Sequence, residues 1–233
     1  MSIYDAAQLC IEGKVVRELS SNGKKLFPKL PEGYIELEYI ESAASQYIKT
    51  GVKVNPNYTV SVDFMLTKRT TTWDTIFGTR NGQAARFTAR FTNTATGKLG
   101  IHRSVAVGTT CEQYDDSKAT KDKVTNGFHN VRLAKNKYYF DGELRYNFKA
   151  ATSLTKYNYE LYLFANNNAG GVGDAGYFRI RFCTIQDEND NFVRHFIPCK
   201  NPNGVAGMYD VVNKKFYGSS SSTAFVAGNV KEA

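Results

Sequence analysis

The chain has no apolar run approaching the ~18 residues that a membrane-spanning helix needs, so no spanning helix is expected. It has five prolines in 233 residues and no helix-period amphipathic stretch, which argues against a helical bundle and against a Pro-rich linker protein. Four cysteines, Cys10, Cys111, Cys183 and Cys199, show no CxxC spacing, so neither a zinc ribbon nor a redox pair is expected. Histidine is scarce: His102, His129 and His195 lie far apart without metal-ligand spacing, each in a strand pattern. No G-x-S-x-G elbow is present, and Ser219 to Ser222 form a low-complexity turn. The first residues, MSIYDAAQLC, lack the basic and apolar regions of a secretory signal. Synthesis in a bacterial cytoplasm is therefore expected, with free, buried thiols rather than disulfides.

What remains is strand material. Apolar residues make up 42% of the chain and aromatics 13%, enough for a packed core and too much for a disordered chain. Tyr58 to Leu66 alternates cleanly, with Val60, Val62 and Phe64 on one face. Segments around ARFTARFTN, FHNVRLAKN and KYYFDGELRYNF read as further strands, the last turning at Asp141-Gly142, the best hairpin signal of the chain. NYELYLFAN and YFRIRFCTIQD are the most apolar and read as central strands. Roughly a dozen short strands at regular spacing predict an all-β, two-sheet antiparallel sandwich. Residues 1–29 stand apart as a short N-terminal β-hairpin and attachment element, through which copies of the chain could associate. The sandwich then occupies 30–233, with the junction at Pro28 and Pro31.

Two segments carry a family signature. One is LPEGYIELEYIESAASQYIKTGVKV, ending at Val54; the other is FVRHFIPCKNPNGVAGMYDVVNKKFYG, from Phe192 to Gly218. Together they resemble the concanavalin A-like, LamG-type jelly-roll domains of phage and prophage virion proteins and of gut-bacterial surface proteins. The resemblance runs from about Leu30 to Ala227. It implies a jelly roll whose first and last segments pair, and a virion setting in the mature state. The implied partner is a host-surface carbohydrate or, in a structural decoration role, another virion protein. Such domains often hold calcium at the sandwich rim; matching acidic residues are not evident here, so no cofactor is expected, with calcium the one alternative left open.

Several motifs point to chemistry only until their context is read. Gly171 to Gly176 matches G-x-G-x-x-G, but a strand follows where a dinucleotide site needs a helix. Glu36, Glu38 and Glu41 have the spacing of the carboxylate strand of laminarinase-like glycosidases, which share the fold. Here Glu38 replaces an aspartate and the motif lies on the first strand, so no catalytic residue is expected. The net charge of +8 is diffuse, densest between Lys118 and Lys156, and reads as a solvated basic face rather than a nucleic-acid site. The remaining candidates for ligand binding are Trp73, Asn166, Asn167, Asn168 and Asp174. Tryptophan stacks on pyranose rings and equally plugs sandwich edges. Amides and a carboxylate in a Gly-rich loop suit sugar hydroxyls or an ion, and equally a plain turn. Tyr114 is a weaker aromatic candidate.

Overall fold

The computed structural model describes residues 30–82, 85–109 and 111–231, together with the backbone of four two-residue strands nearer the N-terminus. Those four form two small antiparallel ladders, Cys10–Ile11 with Lys14–Val15 and Ser20–Ser21 with Lys24–Lys25. The rest of the expected 1–29 attachment element, with the junction at Pro28, lies outside the described residues.

Strands account for every regular element among the described residues. In the larger sheet, Thr59–Leu66 and Tyr177–Gln186 run antiparallel at the centre. His129–Ala134, Lys137–Phe140 and Glu143–Asn147 extend the sheet on one side; Phe192–Lys200, Ala206–Asp210 and Lys215–Tyr217 extend it on the other. The smaller sheet runs from Cys111–Thr120 through Lys98–Ser104, Arg86–Phe91 and Asp74–Arg80 to Tyr162–Leu163 and Ile48–Lys49. Two-residue periodicity then decides what lies inside. Val60, Val62 and Phe64 face Phe87, Ala89, Phe91 and Ile101, all of them without solvent exposure. Phe64, Phe91 and Phe178 meet at centroid separations of 6.0, 6.0 and 6.3 Å, an aromatic knot that joins the two layers.

The two signature segments close the fold, as the resemblance implies. Ile35–Glu36 pairs with Cys199–Lys200, and Ile40–Ala43 pairs with Val226–Ala227 near the end of the chain. Gln46 ties the corner: its Oε1 accepts from Ala43 N at 2.8 Å and its Nε2 donates to Ala224 O at 2.9 Å. Asp210 does the same for the second segment, accepting from His195 N and Val212 N at 2.9 and 3.1 Å. Turn chemistry is also as expected at Asp141-Gly142, where φ values of 49° and 82° give the mirror-image turn that suits twisted strands.

One expectation fails locally. NYELYLFAN does not form a long central strand, because Phe164 takes φ 66° and breaks the ladder after Tyr162–Leu163. The segment stays apolar because it is buried; residues 161 to 167 are all inside. Tyr177–Gln186, by contrast, is central.

Cys111, Cys183 and Cys199 are free thiols. Cys183 and Cys199 have no exposed surface, and burial raises both thiols, Cys199 to about 12. In native protein at pH 8 these two should resist Ellman's reagent and should react on unfolding without a reductant. Titration of either in the folded state would show that the sandwich opens at this sheet.

Candidate functional site

The strand Arg86–Phe91 alternates strictly, so Phe87, Ala89 and Phe91 enter the core while Arg86, Thr88 and Arg90 share the opposite face. Register extends that face across the smaller sheet. Thr88 lies opposite Gly78 on one side and His102 on the other; Arg86 lies opposite Arg80, and Arg90 opposite Gly100. Asn166–Asn168 runs parallel to Asp74–Arg80 and places Asn166 beside Gly78 and Asn168 beside Arg80. Gln113 and Asp115 form the exposed margin beyond His102 and Gly100.

Two glycines form the floor. A Cβ at Gly78 would sit 2.6 Å from Asn166 Oδ1 and 2.9 Å from Thr88 Cγ2. One at Gly100 would sit 2.8 Å from Asp115 Oδ1 and 3.1 Å from His102 Nε2. Polar side chains therefore close over positions where any larger residue would displace them.

Trp73 stands at one end of this face, held from below. The buried Lys121 Nζ donates to Thr70 O at 2.8 Å and Thr72 O at 2.7 Å, and lies 2.5 Å from Asp74 Oδ2. The turn carrying Trp73 is thereby fixed. The Arg90 guanidinium stacks 4.0 Å from the Trp73 ring centroid and donates through Nη1 to Asp174 Oδ2 at 3.0 Å. Asp174, at φ 53°, accepts Thr75 N through its carbonyl at 2.9 Å, which locks its place beside the sheet. Trp73 and Asp174 are thus brought together, with Arg90 as the link.

The asparagines divide. Asn167 is a staple of its own turn, donating to Glu160 O at 2.9 Å and accepting from Gly170 N at 2.8 Å. Asn168 is exposed and accepts from Arg80 Nε at 3.1 Å. Asn166 is fully buried on the polar face. The Gly-rich stretch that follows is a short ladder, Asn166–Asn168 with Gly171–Gly173, rather than an open loop. A strand follows the G-x-G-x-x-G stretch, which leaves no helix N-terminus for a pyrophosphate.

The face combines positive charge with unmet hydrogen bonding. Arg90 Nε, His102 Nε2, Thr88 Oγ1 and both amide atoms of Asn166 are buried without a protein partner. Arg86 Nη1 lies 3.3 Å from His102 Nδ1. A guanidinium only donates, so Nδ1 accepts and the neutral ring carries its proton on Nε2. Burial, followed by the charges of Arg90, Arg86 and Arg80, holds the His102 pKa down at about 3. His102 is therefore a neutral donor across the ordinary pH range.

No protein-family model and no curated protein matches the chain. Solved structures with a similar course of chain include the CBM40 domain of the Ruminococcus gnavus IT-sialidase. Its identity is 18% and its TM-score 0.44, over 63% of this chain and 90% of that one. Mouse laminin alpha1 domains LG4-5 match at 14% identity and TM-score 0.44, over 86% and 48% of the two chains. Tailspike protein 2 of the Escherichia coli O157:H7 bacteriophage CAB120 matches at 13% and 0.39, over 69% and 26%. The sandwich assignment rests on the ladders described above and not on these likenesses.

Other sequence candidates have structural occupations. Glu36 pairs with Lys231 at 3.1 Å, Glu38 accepts from Asn229 at 2.9 Å, and Glu41 accepts from Arg179 at 2.7 Å. Tyr114 stacks on Tyr146 at 4.5 Å, and His129 pairs with Asp141 at 2.7 Å. Among the described residues no three His, Cys, Asp or Glu side chains gather to hold a metal. Asp174 in particular is engaged by Arg90. An open cleft of about 730 Å³ lies beside the Asn167 turn, lined by Asn167 together with Lys49, Lys53, Tyr159, Glu160 and Arg194 among others. Two of its polar side chains bond to backbone groups: Glu160 accepts from Gly51 N at 2.6 Å and Arg194 donates to Thr50 O at 2.9 Å.

The arginine face escaped the sequence reading, which weighed charge density and found it in Lys118–Lys156. The available signal was the alternation of Arg86, Thr88 and Arg90 with core residues.

The buried His102 has a consequence for stability. In the unfolded chain the ring titrates near 6.5 and in the fold near 3, so between those values the unfolded chain binds more protons. Its contribution is whole above pH 6.5 and declines as pH falls toward 3, by ~3 kcal/mol at pH 4 on the linkage relation. Urea midpoints measured from pH 7 to pH 4 should fall, and His102→Gln should flatten that slope. An equal slope in the variant would place the acid sensitivity elsewhere.

Proposed function

We propose that the chain is a non-catalytic glycan-binding domain, and that the saccharide is held on the outer face of the smaller sheet, beside Trp73. One observation carries this reading. A partly exposed tryptophan borders a floor of buried hydrogen-bonding groups that the protein itself leaves without partners. Saccharides present the complement of such a surface, an apolar ring face together with closely spaced hydroxyls. The non-catalytic part of the proposal is supported by Glu36 and Glu38, tied to Lys231 and Asn229 at the end of the chain, and by Glu41, paired with Arg179 of the central strand. The setting we propose, a phage or prophage virion protein acting at the host surface, rests on the signature segments ending at Val54 and Gly218.

A glycan-array screen of the full chain tests the reading. Binding should be confined to a defined set of glycans, and Trp73→Ala should weaken it about tenfold or more, since a lost ring contact of ~1.4 kcal/mol is a factor of ten. The variant should keep the wild-type unfolding free energy within ~1 kcal/mol, because the ring is only partly buried. Binding that is indifferent to Trp73, or a chain that binds no glycan and instead captures a virion protein, would overturn the proposal.

A further inference from the structure

We infer that the sugar recognised on this face is an acidic one, a saccharide whose carboxylate is read by Arg86, Arg90 and His102 with Arg80 at the margin. The inference rests on the glycan-binding reading of the same face and goes beyond it by naming the chemical class.

The donor inventory points this way. Of the buried polar atoms on the face that lack a protein partner, Arg90 Nε, His102 Nε2 and Asn166 Nδ2 only donate, Thr88 Oγ1 and Thr75 Oγ1 do either, and Asn166 Oδ1 alone only accepts. A neutral sugar, whose hydroxyls donate as readily as they accept, matches such a set poorly. A carboxylate offers about four lone-pair sites and no proton, which matches it well. Thr88 and the amide of Asn166 then remain for neighbouring hydroxyls. Side chains of Arg90, His102, Thr88 and Asn166 are all more than nine-tenths buried, so charge recognition here takes place where water screens little.

Charge balance points the same way. Three guanidiniums, Arg80, Arg86 and Arg90, gather near His102, and the carboxylate bound among them is that of Asp174, on Arg90. Arg86 and Arg80 lie directly opposite each other on adjacent strands, a like-charge pairing that costs stability unless an anion bridges it. Asp115 and Asp174 at the two margins restrict the class further. They repel an extended polyphosphate such as a nucleic-acid backbone more strongly than a single carboxylate. Neutral His102 adds a donor without adding charge.

The test pairs each acid with its own neutral form. Uronic acids and other carboxylated sugars are arrayed beside their carboxyl-reduced counterparts, with neutral and sulfated glycans on the same surface. The full chain should bind carboxylated members and lose at least tenfold on the carboxyl-reduced partner. Arg90→Gln should abolish that preference. Arg80→Gln, a substitution at a partly exposed position that leaves the buried floor intact, should reduce it while the urea midpoint stays unchanged. Equal binding of acid and reduced forms, or binding confined to neutral or sulfated glycans, would overturn the inference and leave the glycan reading standing. No binding to any member would overturn both.

Discussion

The candidate site depends on one buried ion pair. Lys121 and Asp74 meet with no side-chain exposure on either partner, and the lysine spends its remaining donors on two carbonyls of the Thr70–Thr72 turn. Such a pair is weak evidence for net stability, since desolvation of both charges offsets most of the attraction. Its effect is positional. With the turn pinned, Trp73 has one place to be, Arg90 stacks beneath it, and Arg90 in turn holds Asp174 at the end of a two-residue-period face. Loss of either buried charge would leave the other unpaired, a defect worth ~3–5 kcal/mol, and would release the tryptophan at the same time.

The same sheet does two opposed jobs. On its inner side Phe87, Ala89 and Phe91 supply apolar surface to the aromatic knot with Phe64 and Phe178. On its outer side Arg86, Thr88 and Arg90 are also buried, but against polar neighbours, and Thr88 Oγ1, Arg90 Nε and the neighbouring His102 Nε2 and Asn166 amide have no protein partner. Each such atom costs ~1–3 kcal/mol when left unmet. A fold selected for stability alone would place apolar or fully paired groups there, and the concentration of the defect on one face is what singles it out as the candidate site. In the open cleft near Lys49, by contrast, Glu160 and Arg194 both bond to backbone groups of the protein.

Much of the fold was legible in the chain, and for physical reasons. Alternation at Val60, Val62 and Phe64 is a two-residue signal that only a half-buried strand produces, and Asp141-Gly142 needs the positive φ that a tight hairpin demands. NYELYLFAN misled because burial and strand pairing are separate properties: the segment is inside, yet Phe164 turns it away from the ladder. At the site, Trp73 and Asp174 were legible as residue types, but what joins them was not. Arg90 is 17 or more residues from either, and only the sheet register places it between them. Lys121 was counted among solvated charges because no local pattern reveals that a lysine will be buried on an aspartate 47 residues away.

Trp73 is the sole tryptophan of the chain, so its emission reports on one place in the structure. The most direct measurement is a fluorescence titration of the full chain with an acidic oligosaccharide that binds it, run beside calorimetry of the same pair. Ligand arriving beside the Trp73–Arg90 stack should change the emission, saturating at the concentration that calorimetry gives, and Arg90→Gln should alter both together. Heat of binding with an unchanged tryptophan spectrum would place the ligand elsewhere and contradict the site.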